Sequence, residues 1–346
     1  MQALVLSGGI ALGAFEAGLY AALQAEGGME PDWLLGASAG AVTAAIIAGN
    51  PPEARVARLR QFWLGLADAP LPGLGPWRDW LRQASVLQTL ALGRAGLFAP
   101  WPMPAALMGA APALYDLAPL RARLLELVDF DRLNGGAPRL TVSAVDLESG
   151  ERLAFDTGRG DRITVEHILG SCALLPLFAP VAVQGRMLAD GGLAANAPLD
   201  LVLAEATAPS LLCLVAELFP PAGQMPRSLK EAVARAGDLA FGNQTERLIE
   251  GHGRALRLAA ALRRLSAQLP GQAMPPGAAG PDQATLLRIG YHPPPEDAGP
   301  GKLFDFTADS LALRWQAGER GLRAGLACLA APPPADEAFV VHRVEA

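Results

Sequence analysis

The feature that most constrains the fold is a regular alternation of short apolar strands and helices near the amino terminus. Ala3–Ser7 is an apolar segment that ends in a turn at Gly8 and Gly9, and the segment after the turn has the apolar periodicity of a helix. Asp32–Leu35 repeats the strand pattern, and Ala41–Ala48 begins another helix. Because strands joined by helices pair in parallel, this spacing predicts an α/β protein whose parallel sheet is covered on both faces.

The composition favours a soluble protein with a large core. Of the 346 residues, 51% are hydrophobic, and the formal net charge is −6. Nucleic-acid binding draws its affinity from clustered Lys and Arg, so this charge argues against it. No stretch approaches the roughly 18–20 apolar residues of a membrane-spanning helix, and the amino terminus lacks the pattern of a signal peptide. We therefore expect a cytoplasmic protein that contacts at most the inner membrane surface, peripherally.

The three cysteines predict neither a disulfide framework nor a metal site. Cys172, Cys213 and Cys328 are an odd number of thiols without short spacings, whereas zinc sites and small disulfide-bonded domains use closely spaced pairs. Free thiols are compatible with a reducing cytoplasm. No pattern in the chain predicts a metal or a cofactor.

Composition also divides the chain into regions. Residues 51–114 are rich in Pro, Gly, Arg and Trp and are predicted to form a helical insertion. Strand patterns resume at Leu140–Val145 and continue to Leu211–Leu218, which predicts a first domain over residues 1–215. Residues 216–346 are predicted to be a largely helical C-terminal extension that packs on the same core.

A G-x-S-x-G sequence, Gly36-Ala37-Ser38-Ala39-Gly40, lies between the second predicted strand and the following helix. A sharp turn of this kind exposes the serine hydroxyl, and its neighbours must be small because larger side chains would collide. The turn also places the hydroxyl at a helix amino terminus, which favours developing negative charge. The context predicts Ser38 as a nucleophile on an elbow formed with Gly36 and Gly40. The alternative is a strand-to-helix turn without catalytic function.

A second glycine-rich turn, residues 8–13, follows the first strand, and we name it the glycine turn. In a parallel sheet it lies at the same edge as Ser38, so that backbone N–H groups there can form an oxyanion hole. A phosphate-binding loop would need Lys-Ser or Lys-Thr where Ala14-Phe15 stand, and the spacing does not fit a dinucleotide-binding fingerprint. The candidate oxyanion donors are the N–H groups of Gly8, Gly9, Ile10 and Ala39.

The sequence Asp190-Gly191-Gly192 follows a predicted hairpin strand. Alone, Asp-Gly is an ordinary turn, but a serine nucleophile needs a proton acceptor. None of the chain's four histidines follows a core strand in a small-residue loop, although His167 lies on a helix that could be near the site. A carboxylate can act directly as the base when it lies within hydrogen-bond reach.

These three elements, in this order, resemble the patatin-like phospholipases. Further stretches match that family's pattern as well: Ser171-Cys172-Ala173, Pro176, Phe178-Ala179-Pro180-Val181, Asn196 and Pro198. The resemblance covers about residues 1–215. The remainder looks like the C-terminal extension on a bacterial subgroup of these proteins.

The resemblance implies a three-layer α/β/α sandwich with a mainly parallel sheet, Ser38 as nucleophile and Asp190 as base. Two positions depart from the family pattern. Ile10 stands where a third glycine is usual, and Leu12 stands where many members have a basic residue. Because a β-branched residue tolerates positive φ poorly, the oxyanion hole would rely on Gly8, Gly9 and Ala39.

The function implied is that of a serine lipid acyl hydrolase of phospholipase A or esterase type, acting on a lipid or another acyl ester. A thioesterase or a short-chain carboxylesterase would use the same chemistry. A different class, a catalytically weak lipid-binding or scaffold protein, would share the fold. The insertion adds a hypothesis of peripheral membrane contact through Trp77, Trp80 and Trp101, against the alternative that these rings pack in the core.

Overall fold

The architecture is built on one large, mostly parallel sheet. The computed structural model describes residues 1–68, 78–101, 113–206, 208–268, 280–294, 297, 299–330 and 337–346. The strands are β1 (Gln2–Leu6), β2 (Trp33–Ala37), β3 (Ala99–Pro100), β4 (Tyr115–Asp116), β5 (Arg139–Asp146), β6 (Arg152–Asp156), β7 (Val181–Val183), β8 (Arg186–Asp190), β9 (Ser210–Glu217), β10 (Gln283–Gly290) and β11 (Phe339–Glu345). The α-helices are α1 (Gly13–Glu26), α2 (Ala39–Ala48), α3 (Pro52–Trp63), α4 (Arg78–Leu92), α5 (Ala118–Leu127), α6 (Phe130–Leu133), α7 (Val165–Ser171), α8 (Leu199–Glu205), α9 (Leu229–Ala267) and α10 (Ala308–Leu329).

Strand β1 lies near the centre of the sheet and determines which edge carries the site. Within the described residues, nine strands form one sheet in the order β11-β10-β9-β1-β2-β5-β8-β7, with β6 also paired to β5. Strands β2 and β9 both flank β1 in parallel, with Ala3 opposite Trp33 and Cys213. The carboxyl ends of β1 and β2 therefore lie side by side, as expected for a parallel pair. The glycine turn and Ser38 follow these two ends directly.

Both faces of β1 are buried, which explains its uninterrupted apolar sequence. Leu4 and Leu6 pack into a cluster with helices α1, α2 and α10, whereas Ala3 and Val5 pack into a separate cluster with helices α8 and α9. A strand buried on both faces has no polar side, so the usual alternation of apolar and polar residues is missing. The sheet is therefore the middle layer of an α/β/α sandwich, and the predicted fold class is confirmed.

The other end of the sheet is antiparallel and carries Asp190. Strand β5 pairs antiparallel with β6 and β8, and β7 pairs antiparallel with β8. The β7–β8 turn places Gln184 at φ 50° and Gly185 at φ 80°, the backbone that two-residue hairpin turns favour. The predicted hairpin is thus present, and it delivers Asp190 as the last residue of β8.

The C-terminal part of the chain extends the same sheet and packs against its first helix. Strand β10 pairs in parallel with β9, and β11 pairs in parallel with β10. Helices α1 and α10 cross in backbone contact: a Cβ on Gly18 would lie 2.0 Å from the Trp315 carbonyl oxygen, and one on Gly318 would lie 2.0 Å from the Phe15 carbonyl oxygen. Strand β11 was not predicted from the sequence.

The insertion contains both buried and exposed hydrophobic residues. Trp63, Leu97 and Phe98 belong to the main core, whereas the Trp80 side chain on α4 is 64% exposed. Trp77 lies outside the described residues. Among the residues that the structure describes, no helix is long and apolar enough to cross a membrane.

Candidate active site

Ser38 stands on a strained turn between β2 and α2. Its φ is 53°, a left-handed conformation that non-glycine residues rarely adopt. Glycine is required on both sides. A Cβ on Gly36 would lie 2.5 Å from the Ala41 nitrogen, and one on Gly40 would lie 2.2 Å from the Leu6 carbonyl oxygen. The spacing of the G-x-S-x-G sequence is therefore explained by backbone packing, and the strain is of the kind that clusters at functional sites.

The backbone of this turn is fixed by a second serine. The Ser38 N–H donates to the Ser171 hydroxyl at 3.0 Å, and that hydroxyl donates to the Ser143 carbonyl at 2.6 Å. The Cys172 thiol donates to the Ser38 carbonyl at 3.4 Å. In the sequence, Ser171 belongs to the stretch Ser171-Cys172-Ala173 that matches the family pattern, and no role was predicted for it. Because its partners lie in the turn after β2 and on β5, only the fold reveals that it bridges them.

Asp190 is the carboxylate that the fold brings to Ser38. It is 2% exposed, it lines the same cleft as Ser38, and it accepts from the Gly192 N–H at 2.7 Å. Burial raises the pKa of Asp190 to about 7, and the interactions with Ser38 and Gly192 offset only part of that rise. A carboxyl group with a pKa near neutrality is poised to accept and return a proton. A Cβ on Gly191 would lie 2.2 Å from the Ser143 carbonyl oxygen, so this position also requires glycine.

The glycine turn lies against the same serine. A Cβ on Gly8 would lie 2.9 Å from the Ser38 Cβ and 2.7 Å from Asn196 Oδ1. The Gly8 N–H, however, donates to the Asn196 carbonyl at 3.2 Å, and Asn196 Nδ2 donates back to the Gly8 carbonyl at 3.2 Å. The N–H of Gly8 is thus occupied, in contrast to the expectation that it would bind an oxyanion. This leaves Gly9, Ile10 and Ala39 as the candidate donors.

Ile10 adopts a positive φ angle, a backbone conformation that is unfavourable for a β-branched residue. Its φ is 48°, and it begins a short 3-10 turn, Ile10–Leu12, that the Leu12 N–H closes by donating to the Gly9 carbonyl at 3.0 Å. The Leu12 side chain is fully buried, so at this position the chain has an apolar contact with the core.

None of the four histidines, all of which the structure describes, lines the cavities beside Ser38. His167 is buried, and its Nδ1 accepts from the Thr164 N–H at 3.0 Å as part of the cap of α7. Its ring packs on Phe155 at 4.4 Å between centroids, and burial lowers the pKa of the imidazole. Across the described part of the chain, no group of three His, Cys, Asp or Glu residues is arranged to hold a metal.

An apolar cavity of about 40 Å³ opens beside Ser38. Its walls come from α2, from the insertion, from α5 and from the segment after α7; they include Val42, Phe62, Trp63, Phe98, Leu120, Cys172 and Phe178. A lining without charged side chains accepts a hydrocarbon group and offers no partner to a polar one. The other side of Ser38 faces a cleft that contains the glycine turn, Asp190 and Leu303.

Together, the fold and the elbow place the chain among the α/β proteins that present a serine on a sharp turn at the carboxyl end of a parallel strand. The family model described as patatin-like phospholipase matches residues 4–203, which is more than half of the chain. The chain therefore belongs to the patatin-like phospholipase family, which supports lipid acyl hydrolysis as its general activity.

Solved structures resemble the chain more distantly. The crystal structure of VipD from Legionella pneumophila is 17% identical in sequence, with a TM-score of 0.42 over 94% of this chain and 67% of that one. No curated protein matches the chain.

Proposed function

We propose that the protein is a serine lipid acyl hydrolase that cleaves carboxylic esters through an acyl-enzyme on Ser38. The observation that carries the proposal is the buried carboxyl group of Asp190, which lines the same cleft as Ser38 and interacts with its side chain. Asp190 removes the hydroxyl proton as Ser38 Oγ attacks the ester carbonyl, and the N–H groups of Gly9, Ile10 and Ala39 stabilise the oxyanion. The proton passes to the leaving alkoxide when the C–O bond breaks.

Deacylation repeats these steps with water as the nucleophile. Asp190 accepts a proton from the water that attacks the acyl-enzyme, and the second tetrahedral intermediate collapses to release the acid and return the proton to Ser38 Oγ. Apart from the substrate and water, both steps use only groups of the chain itself. The buried setting of Asp190 supports the assignment because it raises the pKa of the carboxyl group to about 7, which makes the group a stronger base than an exposed aspartate.

The proposal is tested by covalent labelling of Ser38. A fluorophosphonate probe should label the intact protein once, and peptide mapping should place the label on Ser38. A catalytically weak lipid-binding or scaffold protein would not react, so an unlabelled, folded protein would favour that alternative. The matched control is the Ser143→Ala variant, because the Ser143 hydroxyl is buried without a hydrogen-bond partner and its removal should leave labelling intact.

The size of the apolar cavity predicts a preference for short acyl groups among soluble esters. A volume of about 40 Å³ is roughly three times what one water molecule requires, so the cavity as it stands holds only a few methylene groups. Among p-nitrophenyl esters, we expect kcat/KM to be highest for chains of about two to four carbons. Phe98 lines this cavity, and its ring lies 6.2 Å from that of Phe304, which lines a larger groove. We expect a longer chain to displace Phe98.

Substitutions of Val42 test which wall sets this limit. Val42→Leu should shorten the preferred chain and Val42→Ala should lengthen it, since one methylene in an apolar pocket changes specificity by about 10-fold or more. Ile47→Val is the control, because Ile47 is buried on the same helix and does not line the cavity. Equal chain-length profiles in all three variants would exclude this cavity as the acyl site. Parallel assays with acyl thioesters distinguish a thioesterase.

Helix α4 is the candidate for peripheral contact with a lipid surface. Trp80 and Leu87 are 64% and 66% exposed, and α4 borders the groove of about 390 Å³ that Phe304 also lines. Exposed Trp and Leu on one helix favour a membrane interface. We expect Trp80→Ala with Leu87→Ala to weaken binding to phosphatidylglycerol vesicles by about 10-fold or more and to leave the hydrolysis of soluble esters unchanged.

The control for this prediction is Leu258→Ala, which removes an equally exposed leucine, 65% exposed, from α9. Vesicle co-sedimentation and the melting temperature should be measured together for all variants. If the α4 variant binds vesicles as the wild type does, the exposed residues do not form a membrane contact. If its melting temperature and all its activities fall together, the residues serve packing instead.

A further inference from the structure

We infer that the C-terminal part of the chain positions the glycine turn through two side chains, Gln244 of α9 and Arg314 of α10. The inference rests on the proposed function, because it gives these residues the task of aligning the oxyanion donors. Neither residue lines the cavities beside Ser38, so both act through other groups. They reach opposite ends of the glycine turn.

Arg314 holds the far end of the turn. Its side chain is fully buried, and its Nη1 donates to the Ala11 carbonyl at 3.3 Å and to the Asp305 carbonyl at 2.9 Å. The guanidinium is neutralised by Asp297, with contacts of 2.6 and 2.9 Å. A buried arginine is costly unless its charge is paired and its donors are satisfied. Here the donors that the ion pair leaves free are directed to backbone carbonyls, one of which belongs to the glycine turn.

The same guanidinium also fixes a wall of the cleft. Nη2 of Arg314 donates to the Lys302 carbonyl at 2.9 Å, and the next residue, Leu303, lines the cleft that contains Ser38 and Asp190. The Arg314 side chain therefore hydrogen-bonds both to the glycine turn and to the residue that precedes Leu303 in the wall of the cleft. A displacement of Arg314 would alter the spacing between them.

Gln244 holds the near end of the turn through Asn196. The Asn196 N–H donates to Gln244 Oε1 at 2.9 Å. Asn196 in turn exchanges two hydrogen bonds with Gly8, as donor through Nδ2 and as acceptor through its carbonyl. Asn196 is itself buried, so its backbone N–H needs an acceptor within the protein, and Gln244 supplies it. The orientation of the Gly8 peptide thus depends on a side chain from the C-terminal part of the chain.

The backbone between these two anchors explains why they are needed. Ile10 has φ 48°, and such a conformation persists only when the surroundings over-determine it. Restraining Gly8 on one side and Ala11 on the other leaves Ile10 no room to relax. Its N–H and that of Gly9 then keep the direction that a tetrahedral oxyanion requires.

The experiment compares Gln244→Ala and Arg314→Lys with the wild type on a soluble p-nitrophenyl ester. Loss of an oxyanion donor lowers kcat by about 10²–10³, and loss of its alignment should lower kcat by about 10-fold or more at nearly unchanged KM. The affinity for a trifluoromethyl ketone, which forms a tetrahedral oxyanion on the nucleophile, should fall by the same factor as kcat/KM. Gln244→Glu retains the acceptor oxygen and should restore kcat.

Arg288→Lys is the matched control. Arg288 is a buried arginine that pairs with Glu217 and Glu246 and makes no contact with the glycine turn. It should lower stability without changing the ratio of ketone affinity to KM. Gln244 is only partly buried, so its variants remain informative if Arg314→Lys does not fold.

Two results would overturn the inference. If ketone affinity is unchanged in folded Gln244→Ala and its kcat falls no further than that of Arg288→Lys, the residues serve stability alone, and the proposed function stands. If the wild type is neither labelled by fluorophosphonate nor active on any ester, the proposed function is wrong, and the inference falls with it.

Discussion

Replacing either residue of the proposed catalytic pair, Ser38 and Asp190, is expected to remove nearly all ester hydrolysis. Ser38→Ala deletes the nucleophile, and Asp190→Asn deletes the proton acceptor while keeping the volume of the side chain. Each should lower kcat/KM for a soluble ester by at least about 10³-fold, and the double variant should be little worse than either single one, because the two groups act as a unit. Steady-state kinetics with a p-nitrophenyl ester measure the effect.

The controls separate loss of chemistry from loss of structure. Ser38→Gly also lacks the hydroxyl, but it relieves the positive φ of 53°, so it should be inactive and more stable than Ser38→Ala by about 1 kcal/mol. His167→Ala removes a buried cap of α7 and should lower the melting temperature while the folded enzyme remains active. If His167→Ala abolishes turnover and Asp190→Asn does not, the proposed base is wrong.

Local sequence signals were sufficient to predict the elements that carry the site. Gly36, Gly40 and Ser38 predicted the elbow because a sharp strand-to-helix turn has strict steric requirements, and those requirements appear in the sequence. The β7–β8 hairpin was predicted from apolar residues around Gly185, and it presents Asp190 at its end. In both cases the determinants lie within a few residues of the feature that they shape.

Contacts between distant segments could not be predicted from the sequence. Arg314 and Ala11 are separated by 303 positions, and a lone arginine in a helix gives no sign that it will point inward. The occupied N–H of Gly8 was missed for the same reason, since its acceptor is Asn196, 188 positions away along the chain. The sequence specifies such contacts only through the whole packing of the sheet and its helices.

The pH dependence of the enzyme should follow the ionisation of Asp190 in opposite ways for activity and stability. The base must be ionised, so kcat/KM should rise about tenfold per pH unit until it levels off near the pKa of Asp190, about 7. Stability moves the other way. A carboxyl group whose pKa is raised on folding stabilises the native state below its unfolded pKa, and this contribution is lost as the pH rises through the folded value. With a shift from 3.8 to about 7, the full loss is about 4 kcal/mol.

Asp190→Asn isolates this effect because its amide does not titrate. Urea unfolding of both proteins at pH 5 and pH 8 should show the free energy of unfolding of the wild type falling by about 2–3 kcal/mol relative to the variant between these values. Other titrating groups are common to both proteins and cancel in the difference. Burial raises the pKa of the neighbouring Cys172 thiol far above this range, so that thiol stays neutral throughout. A wild-type curve parallel to that of Asp190→Asn would mean that the carboxyl group is already ionised at pH 5, and kcat/KM should then be flat over the same interval.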